Sequence, residues 1–488
     1  MSLLDGLEIS ELMLSDVFED NDSFRLDSEY YKKALIKFYK NIENFDKLET
    51  FVESGYRVVY ENTKIIDVPK DKEHLYTRFL QASDVYTPEI TLDNVGFVTN
   101  ADWERYPKGR IEEGELLIEV KGKAEKVAIV YDNIPPKTLV SGSLFKLKSN
   151  NKATKEYLLT FLLCKYGAMF KNRSKTNLLI SYISKPDLYN IPIPLVSQNF
   201  QSNITKLIKL SHQKLEESKI LYQQTQNILL EKLDLLDFTP TNLDSSNRAG
   251  VSIKNFSESF GSSGRLDSEY YQAKYDEIIN HIRKASYDRL ENIVHVIKSI
   301  EPGSNAYQED GIPFVRVSNL SKFEITQPDI YLSPNLLDEE ELELLQPKKN
   351  TILFSKDGTV GIAYNVKEDS KFITSGALLH LTIKQDYLQK VRPEYLTLVL
   401  NSLVVQLQSE RDAGGSIIKH WKPSEIKEVL VPVIDYSIQT RIEEKVQESF
   451  RLKEQSKQLL EIAKKAVEIA IEQNEDAALS FIDTKGIL

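Results

Sequence analysis

The sequence predicts a mixed α/β chain of the α+β kind: two similar globular domains, each followed by a long helix. Three observations predict it. The heptapeptide "RLDSEYY" stands at Arg25–Tyr31 and again at Arg265–Tyr271, 240 residues on. After each copy the same order of strand, turn and helix signals recurs. Each half then closes on a run of about 35 residues with a heptad period. A duplication on this scale governs the reading of everything else.

Behind each heptapeptide an amphipathic helix is expected, Lys32–Tyr39 and Ala273–Ile282. Strand-like "YTRFLQASDV" (Tyr76–Val85) is matched by "IPFVRVSNL" (Ile312–Leu320). Next, "GELLIEVKGKAEKVAIV" (Gly114–Val130) and "NTILFSKDGTVGIAY" (Asn350–Tyr364) each read as strand, turn, strand. Gly122 and Gly358 supply permissive backbone at the turns. "TLVSGSLFKLK" (Thr138–Lys148) and "FITSGALLHLT" (Phe372–Thr382) share a Ser-Gly pair. The helices "KEYLLTFLLCKYG" and "PEYLTLVLNSLVV" come after them, then "SKPDLYNIPIPLV" (Ser184–Val196) and "WKPSEIKEVLVPVI" (Trp421–Ile434).

The long helices are expected over Gln201–Leu236 and Gln439–Gln473. At a constant offset of 238 residues their seams coincide. Ile204, Ile208, Ser211, Leu215, Ser218, Tyr222, Thr225 and Leu229 map onto Ile442, Val446, Ser449, Lys453, Ser456, Leu460, Ala463 and Val467. Steps of 4 and 3 alternate, as in the seam of a paired coiled coil, with serines allowing close approach. A helix of about 35 residues is about 52 Å long, more than a compact domain needs, so it reads as a spacer. Thr239–Gly264 is rich in Ser, Asn and Gly and reads as a linker. The expected boundaries are a first domain over 1–198, a helix over 199–238, a linker over 239–264, a second domain over 265–436 and a helix over 437–478.

Composition narrows the function. At 488 residues, 41% hydrophobic and 28% charged, each domain can bury a core. The one cysteine, Cys164, permits no intrachain disulfide or cysteine zinc cluster and suits a reducing cytoplasm. The acidic N-terminus is a poor signal peptide, and no apolar run is long enough to span a membrane. A net charge of −11 argues against a sequence-independent nucleic-acid coat, though not against a reader with local basic patches.

Several chemistries lack their residues. No Gly-x-x-x-x-Gly-Lys-Ser/Thr loop exists, and "DNIPPKT" (Asp132–Thr138) lacks the aromatic that an amino-methylating loop carries. Glu119-Val-Lys121, with Glu113 or Glu115, resembles the Glu-x-Lys of metal-dependent nucleases. The second half reads Phe-Ser-Lys at Phe354–Lys356, which keeps a lysine and drops the acid. That suits phosphate contact better than metal chemistry. The six histidines show no metal-ligand spacing, so no metal site and no catalytic residue is expected.

Basic and polar groups do gather on the hairpins and late loops. In the first half they are Arg78, Lys121, Lys123, Lys126, Lys171, Arg173 and Lys175. The second half has Arg316, Lys356, Thr359, Lys419, His420, Trp421 and Lys422. Such groups neutralise phosphates and read base edges. "KNRSKTN" (Lys171–Asn177) and "GGSIIKHWKPSE" (Gly414–Glu425) occupy equivalent places.

Taken in this order, the duplicated motifs resemble the specificity subunit of type I restriction-modification systems. The carrying residues are both heptapeptides, "ILFSKDGTVG" at Ile352–Gly361, the run Gly414–Val433, and the glutamines Gln201 and Gln439 that open the long helices. Pro192 and Pro194 keep an Ile-Pro-x-Pro pattern of which the second half retains only Pro432. The resemblance covers nearly the whole chain. It implies two target-recognition domains, each reading half of a split sequence in double-stranded DNA, with the two helices packed as an antiparallel coiled coil that acts as a ruler between them. It implies two methyltransferase subunits bringing S-adenosylmethionine, motor-nuclease subunits in the full complex, a role in phage defence, and no cofactor in this chain. Two rivals remain: the recognition subunit of a type IIB-like system with a fused methyltransferase-nuclease partner, and a coiled-coil scaffold without DNA binding.

Overall fold

In a computed structural model of the chain, the described residues are 11–18, 25–28, 30–41, 44–68, 70–92, 95–175, 181–238, 253–415 and 418–486. They fall into two compact units, Met1–Lys214 with Glu454–Leu488, and Leu215–Lys453. The contiguous domains expected over 1–198 and 265–436 therefore each gain a half of both long helices.

Each unit is built around a four-stranded antiparallel sheet of the same strand order. In the first unit the order is Val52–Tyr56, Leu144–Ser149, Leu116–Glu119, Val127–Ile129. In the second it is Val294–Lys298, Leu378–Ile383, Ile352–Ser355, Ala363–Asn365. Both faces of the central strands are covered, which is why they read as unbroken apolar runs. Leu116 and Ile118 point into one core with the helix Lys155–Leu163, while Leu117 points into another with Leu80 and Val140. Ile352 and Phe354 join the core around the helix Pro393–Leu400, while Leu353 packs with Val315 and Leu378. This alternation is the two-residue period of a strand.

A smaller sheet lies on the second face. It sets Thr77–Leu80 parallel to Thr138–Val140, and Ile312–Val315 parallel to Ile373–Thr374. The strands expected over Tyr76–Val85 and Ile312–Leu320 stop early. Asp84 and Asn319 accept from the backbone N–H of Gln81 and Arg316, and so turn the chain into short 3-10 helices, Ala82–Asp84 and Val317–Asn319.

The long helices are Gln198–Lys232 and Tyr436–Glu472. Of their sixteen seam residues all are buried except Lys453, whose ammonium stands 4.4 Å from the Phe323 ring centroid. Within the first unit Ser211 Oγ donates to the Ser456 carbonyl at 2.8 Å. Within the second, Ser218 and Ser449 each donate to the other's carbonyl, at 2.7 and 2.8 Å. Partners descend in number as the first helix ascends, from Ser218–Ser449 to Gln224–Lys445, so the strips run antiparallel. The last helix, expected to continue to 478, ends at Glu472. Asn474 caps a separate helix, Glu475–Asp483, whose Ala478 and Ile482 enter the first unit's core. Of the expected linker, 239–252 lie outside the described residues, and the remainder carries the short turns Phe256–Glu258 and Phe260–Ser263.

Candidate nucleic-acid interface

In the second unit two segments far apart in sequence meet as a miniature ladder. Asp357–Gly358 pairs antiparallel with Lys419–His420, Asp357 opposite His420 and Gly358 opposite Lys419. Gly358 takes φ +73°, the left-handed conformation that lets the chain turn there. A bridge between Gly414 and His420 closes the late loop. Lys356, Thr359, Lys419 and His420, expected separately, are thus brought to one place, although 416–417 of the loop lie outside the described residues. His420 Nδ1 lies 2.8 Å from Asp357 Oδ1, and Lys356 pairs with the other oxygen of the same carboxylate. Thr359 and Lys419 are exposed.

The first unit builds the same site with other residues. Lys121 bridges to Tyr182, and Gly122, at φ +85°, exchanges bonds with Ser181. Lys175 bridges to Ile183, one residue on from the place that corresponds to His420, the partner of Gly414. The hairpin is fastened from three sides. The Glu119 carboxylate accepts from the N–H groups of Glu125 and Lys126 at 3.0 and 3.3 Å. Lys171 Nζ donates to the Glu125 carbonyl at 3.0 Å, and Lys126 Nζ to the Ala82 carbonyl at 2.7 Å. Burial pushes the Lys171 ammonium down to about 8, with Glu119 and Glu125 opposing the shift. Burial also lowers Lys175, and the charge of Lys123 adds to that. Residues 176–177 of the expected loop lie outside the described residues.

Backbone bonds fix the correspondence between the sites and correct the sequence alignment. Val120 N–H donates to Ser143 and its carbonyl accepts from Ile183; Lys356 does the same with Ala377 and Trp421. Lys356 therefore stands where Val120 does, Asp357 where Lys121 does, and Ser355 where Glu119 does. The lysine common to the two strings is not at one position. Glu119 closes a turn, as Ser355 does by accepting from Ile362 N–H, and Glu115 pairs with Lys146 at 2.8 Å. These carboxylates are spent on separate structural bonds.

Other expected contacts are taken up elsewhere. Trp421 is 1% exposed and packs on Phe354 in the core, in the place of Ile183, so it is not a surface group. Lys356 is buried and neutralised by Asp357. Arg78 lies on its smaller sheet and Arg316 just past the end of its own, paired with Glu73 at 3.5 Å and Asp329 at 2.9 Å. They are not equivalent: the register puts Arg316 one residue past its strand, where Gln81 stands in the first unit. Arg173 stacks on the Tyr30 ring at 3.8 Å. Lys121 and Lys123 in one unit and Lys419 in the other stay exposed, with no ion pair among the described residues. Sequence reasoning missed Asp357 and Tyr182. Asp357 sits beside a glycine turn and Tyr182 on the late segment that pairs with one, a pairing that only the fold creates.

No family model and no curated protein matches this chain. Among solved structures, the chain is similar to a type I restriction-modification system S subunit from M. genitalium, at 13% identity and a TM-score of 0.38, covering 88% of this chain and 96% of that one. It is also similar to the HsdS subunit from Thermoanaerobacter tengcongensis, at 14% identity and a TM-score of 0.28, covering 88% and 97%. A structure described by the complex assembly and conformational transition of the type I R-M system aligns at 14% identity and a TM-score of 0.28, over 88% and 98%.

Proposed function

We propose that this chain is the DNA-recognition subunit of a type I restriction-modification complex, reading a two-part, asymmetric target in double-stranded DNA. On this reading it directs two methyltransferase subunits, which bring S-adenosylmethionine, and motor-nuclease subunits to that target, in the cytoplasm, and performs no reaction itself. The observation that carries the proposal is one site built twice on one framework and furnished differently. Lys121 stands opposite Tyr182 in the first unit; Asp357 stands opposite His420 in the second. Two readers of common frame and different side chains suit a target whose halves differ.

The exposed amines of Lys121, Lys123 and Lys419 neutralise phosphates and set register on the duplex. The exposed His420 imidazole is held through Nδ1 by Asp357, which leaves Nε2 for a base edge. Tyr182 offers a phenol at the matching place, able to donate or accept. The test is co-expression with the neighbouring reading frames and long-read mapping of methylated bases. A split motif, lost on deletion of this chain and changed in one half when residues 70–190 are exchanged, is the expected result. Unchanged methylation overturns the proposal and leaves the scaffold reading in front.

A further inference from the structure

The duplicated heptapeptide builds one device twice. In the first unit the Arg25 guanidinium faces Asp27, Nε to Oδ2 at 2.8 Å and Nη2 to Oδ1 at 2.9 Å. Its Nη1 donates to the carbonyls of Arg173 and Lys175, both at 2.6 Å. Those carbonyls straddle the end of the helix Lys165–Arg173. The Tyr30 ring lies 5.3 Å from the Arg25 guanidinium and 3.8 Å from that of Arg173. In the second unit Arg265 binds Asp267 with Nε at 2.8 Å, and its Nη1 reaches the carbonyls of Arg411 and Asp412, each at 3.4 Å. These close the helix Leu403–Asp412. Tyr270 stacks with Arg265 at 4.5 Å and with Arg411 at 5.3 Å.

The last carbonyls of a helix have no donor within it and carry the negative end of its dipole. A guanidinium serves them well: its planar fork can hold a carboxylate on one edge and two carbonyls on another, which an ammonium cannot. Each clamped helix end leads directly into the candidate interface. Past Lys175 the chain returns to pair Tyr182 with Lys121; past Asp412 it returns to pair His420 with Asp357. We infer that Arg25 and Arg265 are positioning residues for DNA recognition, each fixing the root of one recognition loop and so governing base choice in one half of the target. The inference rests on the DNA-recognition reading.

The test uses the full chain with its methyltransferase partners. Arg25→Lys and Arg265→Lys keep the positive charge and lose the fork. Two readouts are taken, mapping of methylated sites and hydrogen exchange of backbone amides. Arg25→Lys is expected to relax base preference about tenfold in one half-site only, the effect of about one lost charge-assisted hydrogen bond. Arg265→Lys relaxes the other half. Exchange quickens at 174–175 and 181–183 for the first variant and at 413–415 and 418–420 for the second. Wild-type preference in both halves, or equal loss in both, overturns the clamp while the function stands. A wild-type complex that methylates no split motif overturns the function, and the inference with it.

Discussion

Individual residues carry the sharpest energetic consequences. Lys171 keeps an ammonium inside the first unit at a cost, since burial takes its pKa down to about 8. Its one described donor bond ties down the hairpin that presents Lys121 and Lys123. Lys171→Met should therefore raise thermal stability, by up to about 3 kcal/mol, while loosening the hairpin and weakening DNA binding. A thermal melt and a binding titration on the same sample check both parts. His380 is buried in the second unit with Nε2 2.9 Å from Thr374 Oγ1, and burial pushes its pKa down to about 4. The folded chain thus keeps it neutral where the unfolded chain, titrating near 6.5, would protonate it. The resulting stability is full above pH about 6.5 and falls as pH drops toward 4, by about 3 kcal/mol. His380→Gln should flatten that limb of a Tm-against-pH curve. At this scale the sequence is least legible. Trp421 reads as a surface aromatic because basic residues flank it, yet its indole packs on Phe354 in the core just past the short strand on which Lys419 and His420 remain exposed. Leu26 and Leu266, 76% and 75% exposed inside the two heptapeptides, are explained by nothing in the structure.

Elements are more legible, because periodicity survives where side-chain partners are hidden. The heptad seam is readable to the residue: Ser211, Ser218, Ser449 and Ser456 are all buried. The hydroxyls of Ser211, Ser218 and Ser449 bond across to backbone carbonyls and that of Ser456 meets the Ser211 hydroxyl, so the helices approach closely and leave no room for a larger side chain. Ser218→Leu should cost about 1–3 kcal/mol by overpacking, and Ser218→Ala about 1 kcal/mol or less. Chemical denaturation of both variants separates the two. The hairpin register is not readable. "IEVKG" and "FSKDG" align by eye on their lysines, whereas the backbone aligns them on their glycines, Gly122 and Gly358. A one-residue slip exchanges the two faces of a strand, which is how a buried Lys356 comes to be matched with an exposed Lys121.

For the chain as a whole, charge sets the prediction. A net −11 leaves little field to attract DNA, so the chain alone should bind duplex weakly, with Kd on the order of 10⁻⁶ M or higher at physiological salt. The full complex should bind more tightly and with strong salt dependence. Reversing Lys121 and Lys123 to Glu in that complex should lower the log–log salt slope by about 2. Titrations at several salt concentrations test this. The duplication itself is legible from seven letters repeated, and so is the order of elements, since each repeats with its own local signals. That the first unit is completed by residues 454–488, after the whole of the second, cannot be read from the letters, because the partition depends on which half of a helix packs where.

Gln201 and Gln439 join a second fixed feature to the heptapeptides. Each buried amide accepts from a backbone N–H, Thr154 in one copy and Arg392 in the other, and donates to the chain just before its own long helix. On the proposed reading, the two recognition bodies each stand between an arginine clamp and a glutamine tie that recur in both copies. A gene of this form could then inherit a new specificity as a cassette. Recombination that cuts at the two constant joints hands the incoming body the same anchors that held the old one, so novelty in what is read need not be accompanied by any change in how the reader is mounted.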